Sequence, residues 1–278
     1  MVLNKVETKE YLMQELKQVE TWENEQKDLW FWEKLGRLPF VLLDKITPKL
    51  IRDKIGQAID EVGSYIQTGG QYLISEKQTL ERLQTFASQD FDALLTISGV
   101  AHYPLEVMDK AAEEIGKSRT NMAIVQGATT GIGGLFTLAI DIPALLGLSL
   151  KVLQEIAICY GYDPKEKQER IFIIKCMQFV SSDIVGKKAI IEELGAFGQE
   201  GKDREVIAQL QGWQETAMNY IDNFGWKKLF QLIPIVGVVF GAYINKSTVE
   251  EVAEAGRMLY RKRRIVEKLK QVTENSVL

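Results

Sequence analysis

One stretch constrains this chain more than any other: Met122 to Leu150, MAIVQGATTGIGGLFTLAIDIPALLGLSL, in which Asp141 is the single charged residue. The sequence on either side is dense in Lys, Glu, Gln and Arg. An unbroken apolar run of about 20 residues reads as a membrane-spanning helix, but here Asp141-Ile142-Pro143 interrupts it. Aspartate is a preferred N-cap, and proline is tolerated in the first turn of a helix, where its missing N–H has no partner to lose. The pattern predicts one helix ending near Ile140, a turn at Asp141 and Pro143, and a second helix starting at Ile142. The first arm of this apolar hairpin carries Gly127, Gly131, Gly133 and Gly134, the first two at GxxxG spacing. Each glycine costs a helix in water about 0.8–1 kcal/mol relative to alanine, so close packing of the arms is expected to offset the loss. A helix passing unbroken through position 143 would abolish the turn, and with it everything this reading says about lipid.

Composition narrows the chemistry. A formal net charge of −4 gives no case for nucleic-acid binding. Cys159 and Cys176 lack CxxC spacing, and the charged N-terminus MVLNKVETKEYLMQEL is no secretory leader, so both cysteines read as reduced core thiols. The expected compartment is the cytoplasm, peripheral to the inner face of the cell membrane. His102 is the only histidine, which rules out multi-histidine metal sites and leaves one residue to serve any Ser-His or Cys-His nucleophile. It lies in Ser98-Gly99-Val100-Ala101-His102-Tyr103-Pro104, read as a loop in which it is structural or faces solvent. The glycines of GATTGIGG lack the lysine of a phosphate loop, and Phe136 stands where the third glycine of GxGxxG would be. The carboxylate pairs Glu113-Glu114, Glu192-Glu193 and Glu250-Glu251 are adjacent in sequence and point to different helix faces. No catalytic residue, cofactor or metal ligand is therefore expected, and the protein reads as a non-enzyme.

The rest of the chain reads as helix. Leu12, Leu16, Val19 and Trp22 make 5–34 amphipathic, and Trp22, Trp30 and Trp32 read either as an interfacial belt or as an aromatic clamp on the core. Ile51, Ile55, Ile59, Val62 and Ile66 mark a second helix stopped by Gly69-Gly70. Short helices are expected over 71–88 and 90–98, and Pro104 opens another leading into the hairpin. The second arm ends at Tyr160-Gly161-Tyr162, after which Asp163-Pro164-Lys165-Glu166 reads as N-cap, N1 and N3 of the next helix. AFGQEGKDRE loosens into a linker at 195–203.

A second apolar segment, Leu229 to Ile244, is preceded by Trp226-Lys227-Lys228. It is too short to cross a bilayer of about 30 Å, and a bend at Ile233-Pro234 would make it a smaller copy of the first hairpin. Indole and lysine flanks suit the headgroup region, which makes Trp226, Lys227, Lys228, Leu229, Phe230, Pro234, Val236 and Phe240 the candidate membrane interface. The last helix is expected over 248–272, opened by Ser247 or Thr248. Its Arg257, Arg261, Lys262, Arg263, Arg264, Lys268 and Lys270 face one acid, Glu267, and read as a solvated face or as a stripe for anionic lipid.

The blocks Gly127-Ala128-Thr129-Thr130-Gly131, Asp141-Ile142-Pro143 and Tyr160-Gly161-Tyr162-Asp163, followed by Ile233-Pro234-Ile235-Val236-Gly237 and Gly241-Ala242-Tyr243-Ile244-Asn245, resemble the EcsC family over roughly 20–270. That bacterial family takes its name from a component encoded beside an ABC transporter. The DxP hairpin is also similar, more distantly, to that of membrane proteins associated with small GTPases. The resemblance implies a helical, non-enzymatic, membrane-related protein and carries over no catalytic residue. The expected architecture is all-α: a multi-helix bundle in one domain, 1–278, built around the glycine-rich hairpin with a second, shorter, Pro-bent hairpin. The expected partner is a membrane lipid surface or a membrane protein such as a transporter component. The alternative is a soluble helical domain that packs both hairpins as core and binds an apolar ligand or a partner protein.

Overall fold

The computed structural model describes residues 7–26, 64–65, 74–87, 96–130, 135–182, 184–195 and 234–275. Among these, eight helices form the fold and no strand occurs: α1 (Lys9–Glu25), α2 (Glu76–Gln84), α3 (Ile97–Val100), α4 (Leu105–Thr130), α5 (Leu135–Cys159), α6 (Lys167–Ser181), α7 (Ile184–Gly195) and α8 (Pro234–Asn275). Three helices start on a side chain that accepts from an orphan backbone N–H: Thr8 from Tyr11, Ser75 from Gln78 and Thr96 from Gly99.

The spine is α8, which packs along α1, α4, α5 and α6. Its own residues set the register. Gly116 of α4 faces Ala253, Asp109 faces Arg261, and the Tyr103 carbonyl just before α4 faces Lys268, so α4 and α8 are antiparallel. Leu153 of α5 meets Gly256 and Tyr160 meets Arg264, so α5 and α8 are parallel. The main core includes Met108, Ile115, Leu153, Ile156, Phe172 and Tyr260, all at most 1% exposed; burial of each such side chain contributes about 1.5–3 kcal/mol.

The expected turn at Asp141 and Pro143 is not there. Both lie inside α5, which runs unbroken from Leu135 to Cys159, and the lipid argument that depended on that turn goes with it. The chain reverses instead between Thr130 and Leu135, since α4 and α5 pair antiparallel: Asp109 with Tyr160, Arg119 with Glu155. An interior proline costs a helix about 3 kcal/mol by removing one hydrogen bond and crowding a carbonyl. The burial of Leu145, Leu146, Leu148 and Leu150 in the following turns outweighs that cost.

The first arm of the expected second hairpin, Leu229 to Ile233, lies outside the described residues. Pro234 is the first residue of α8, where its fixed φ suits a helix start, and α8 continues without a break through Ser247 and Thr248 to Asn275. The expected last helix is thus the second half of a 42-residue one. Asp163 does not cap α6 directly. Its Oδ1 accepts from Lys165 N, and its carbonyl from Glu166 N, closing a turn before α6 starts at Lys167. Gly99 sits within α3 rather than ending a helix. The linker at 196–203, the helix over 51–63 and Trp30 and Trp32 fall outside the described residues.

Candidate functional site

Two features of the bundle stand apart from ordinary core packing, an ion-paired face along the second half of α8 and an apolar end formed by α4, α5 and α8. Of the seven cations in the second half of α8, Lys270 alone is exposed and the others are buried or half-buried. Arg261, Arg264 and Lys268 are at most 8% exposed, and the stripe turns inward onto acids from distant parts of the chain. Arg261 donates from Nε to both oxygens of Asp109, at 3.1 and 2.9 Å, and pairs with Glu15. Lys262 holds Glu23 at 2.7 Å, Arg263 holds Glu169 at 2.7 Å, and Lys268 holds Glu7 at 2.5 Å. Burial pushes the Asp109 and Glu169 carboxyls up, opposed by Arg261 and Arg263 respectively.

The Tyr160-Gly161-Tyr162 block is positioned by this face. Gly161 has φ +79°, its N–H reaches the Ile158 carbonyl at 2.9 Å, and the Tyr162 N–H reaches Ala157 at 3.0 Å. This is a Schellman end to α5, for which a left-handed residue is required. Arg264 then donates from Nε to the Tyr160 carbonyl at 2.8 Å, placing a cation at the negative end of the helix. The guanidinium carbons of Arg263 and Arg264 lie 4.0 and 4.4 Å from the centre of the Tyr162 ring, within cation–π range. A cavity of about 380 Å³ opens beside this turn, lined in part by Glu76, Ser98, Tyr162, Asp163, Lys165 and Arg263. Its cations are committed to acids, Lys165 to Glu76 and Arg263 to Glu169.

At the other end of the bundle, Ala123, Leu145, Leu148 and Val249 form a small buried cluster of their own. It joins α4, α5 and α8 beyond the buried pair Arg119–Glu155, whose Nε and terminal nitrogen donate at 2.6 and 2.5 Å. From there α5 and α8 continue in the same direction, α8 through the uncharged run Pro234 to Ile244. Met122, Val125 and Tyr243, at 47%, 64% and 67% exposure, are three of the five large apolar side chains left exposed among the described residues.

The anticipated site residues fare unevenly. Gly127 is buried in α4, while Gly131, Gly133 and Gly134, together with Trp226, Lys227, Lys228, Leu229 and Phe230, lie outside the described residues. Pro234, Val236 and Phe240 occupy the first two turns of α8. The close helix contacts that can be measured are elsewhere: a β-carbon on Gly116 would stand 3.2 Å from the Ala253 Cβ, and one on Gly256 only 2.5 Å from Leu153 Cδ2. Ala112 and Gly116, small residues four apart on α4, were the available signal. Gly147 has nothing within 4 Å of such an atom. Cys159 and Cys176 are unpaired and buried, and burial pushes both thiols up. His102 is exposed in the turn after α3. Among the described residues no helix is long and apolar enough to cross a membrane, and no group of His, Cys, Asp and Glu has the arrangement of a metal site.

No solved structure matches the chain. It is 57% identical over 266 residues to uncharacterized protein YdbA of Bacillus subtilis strain 168, covering 95% of this chain and 97% of that one. It is 30% identical over 156 residues to protein EcsC of the same organism, covering 56% and 63% respectively. The profile of the EcsC protein family matches residues 13–265, continuous from α1 into the ion-paired half of α8; the chain belongs to the EcsC family.

Proposed function

We propose that this protein is a non-catalytic, membrane-associated helical protein at the cytoplasmic face of the cell membrane, inserted shallowly by its apolar end and accessory to a membrane transport system. The observation that carries the reading is the convergence of three apolar helix segments on one end, tied together at Ala123, Leu145, Leu148 and Val249, with Met122, Val125 and Tyr243 left exposed. It does not depend on a turn at Asp141. Pro234 to Ile244 rises about 16 Å at ~1.5 Å per residue, roughly half the ~30 Å of a hydrocarbon core. That length suits one leaflet and not a span. Beyond the level of the Arg119–Glu155 pair, Lys151 and Lys246, the three segments carry one charged residue, Asp141 of α5, which limits insertion to a depth that keeps it out of the hydrocarbon. A transport component as the protein partner is what the family resemblance implies.

Flotation with lipid vesicles tests it. The wild-type chain is expected to float, and Val125→Glu with Tyr243→Glu to lower partitioning at least about tenfold, since each lost apolar contact removes about 1.5–3 kcal/mol. Both positions are exposed, so the helical circular-dichroism signal and melting temperature should hold. A wild-type chain that ignores vesicles of every composition, or a double variant that floats equally well, overturns the reading and leaves the apolar end as core or as a seat for an apolar ligand.

A further inference from the structure

Among the described residues, the apolar end of the bundle carries no excess of positive charge. Over 117–130, 135–155 and 234–251, the cations Lys117, Arg119, Lys151 and Lys246 are matched one for one by Asp141, Glu155, Glu250 and Glu251. Three of those cations hold an acid: Lys117 holds Glu113 at 2.6 Å, Arg119 holds Glu155 at 2.5 Å, and Lys246 meets Glu250 at 3.5 Å. The basic run of α8 adds little outside the protein, since Arg261, Lys262, Arg263 and Lys268 turn onto Glu15, Glu23, Glu169 and Glu7. The chain as a whole has a formal charge of −4.

Such a surface gives anionic headgroups no net attraction. A lysine or arginine near the bilayer and free of an acid would raise affinity for anionic lipid about fivefold, and salt would screen that gain away. What the end presents instead is apolar: Met122 and Val125 of α4 and Tyr243 of α8 stand exposed, and a tyrosine ring favours headgroup depth in any bilayer. Three helices, each about 10–12 Å across, must part the headgroups of the leaflet they enter, while the opposite leaflet keeps its area. That work is small where headgroups are already spread, on a strongly curved or loosely packed surface, and large on a flat, tightly packed one.

Resting on the membrane reading above, we infer that the apolar end selects lipid by packing and not by headgroup charge. Its occupant is the hydrocarbon laid bare at packing defects of a curved or unsaturated leaflet, whatever the headgroup. Asp141, the acid that α5 carries within that end, acts in the same direction, because a further negative charge near the surface weakens any pull from anionic lipid. Lys227 and Lys228 precede α8 in the chain and lie outside the described residues; selection by packing requires that they add nothing to binding.

The test is flotation of the full chain with phosphatidylcholine vesicles about 30 and about 200 nm across, each made with unsaturated or with saturated chains. The series is repeated with part of the lipid replaced by phosphatidylglycerol, and at about 0.05 and about 0.5 M salt. The wild-type chain is expected to bind small unsaturated vesicles at least about tenfold more tightly than large saturated ones. Adding phosphatidylglycerol or salt should change binding by less than about twofold, and Lys227→Gln with Lys228→Gln should bind as wild type does. Binding that ignores vesicle size and chain saturation overturns the inference and leaves membrane association standing. So does binding that grows with phosphatidylglycerol and falls with salt, or that is lost in the lysine double variant. A wild-type chain that floats with no vesicle overturns the membrane reading and this inference with it.

Discussion

A β-carbon placed on Gly256 would stand 2.5 Å from Cδ2 of Leu153, so α8 lies against α5 at a separation that only glycine permits at that level. Leu153 is fully buried and cannot swing out into solvent. Alanine at 256 would gain about 0.8–1 kcal/mol of helix propensity but meet an overpacking cost of about 1–3 kcal/mol. Gly256→Ala is expected to lower stability by up to about 2 kcal/mol in urea denaturation. Gly147→Ala, where the new atom meets nothing within 4 Å, should raise it by up to about 1 kcal/mol. Equal effects at the two positions would show that the α5–α8 approach is looser than described.

Arg119 and Glu155 are 12% and 4% exposed at their side chains and joined by two short charge-assisted bonds. Removing one partner leaves the other buried and unpaired. Arg119→Met is expected to cost about 3–5 kcal/mol, and the double change Arg119→Met with Glu155→Met to recover most of it, because an apolar pair of similar size escapes the desolvation penalty. A double-mutant cycle by chemical denaturation measures this; strict additivity would count against the pair as a buried unit.

Asp109 has its carboxyl pushed up by burial, against the pull of Arg261 and the Tyr160 hydroxyl. A carboxylate whose folded pKa exceeds its unfolded value of about 3.9 favours the folded state most at low pH. Its contribution is complete below the unfolded value and lost as pH rises through the folded one. Measured from pH 7 down to about 4, the stability of wild type relative to Asp109→Asn should therefore shift in favour of wild type. A gap that is flat, or that moves in favour of Asp109→Asn on acidification, contradicts the assignment.

Gly161 combines φ +79° with a backbone nitrogen, that of Ala101, 2.9 Å from where a β-carbon would sit. The left-handed conformation alone costs a non-glycine residue about 1–2 kcal/mol, and a backbone atom yields less readily than a side-chain end. Gly161→Ala is expected to exceed that cost and to loosen the Arg264 contact to Tyr160, read as faster amide exchange at Tyr162. A melting temperature within a degree of wild type would contradict it.

Helix content and the end of α5 were legible in the residues because they depend on neighbours in sequence: Tyr160-Gly161-Tyr162 ends α5 as its left-handed glycine dictates. The caps Thr8, Ser75 and Thr96 are as local, yet the expected helices start at residues 5, 71 and 90 instead. Asp141-Ile142-Pro143 misled for the same reason. Those residues carry a strong local signal for a turn, but the leucines that follow are buried against other helices, and their burial keeps the helix continuous. The second apolar segment likewise seemed to need its own boundary at Ser247 or Thr248, which α8 passes through with Val249 and Val252 in the core.

What the sequence determined by itself was the division of the chain into charged and apolar stretches, the helical period within them, and the residue types at helix ends. Only the tertiary structure decided where the chain reverses, and that most of the basic run of α8 turns inward onto acids, with Lys270 left exposed. The physical reason is range: a cap or a period is an interaction over three or four residues, whereas Arg261 finds Glu15 and Lys268 finds Glu7 across separations of 246 and 261 residues. A row of lysines and arginines reads alike from sequence whether water, lipid or a distant glutamate will meet it, because the cost of burying each charge is set by a partner that the local sequence does not contain.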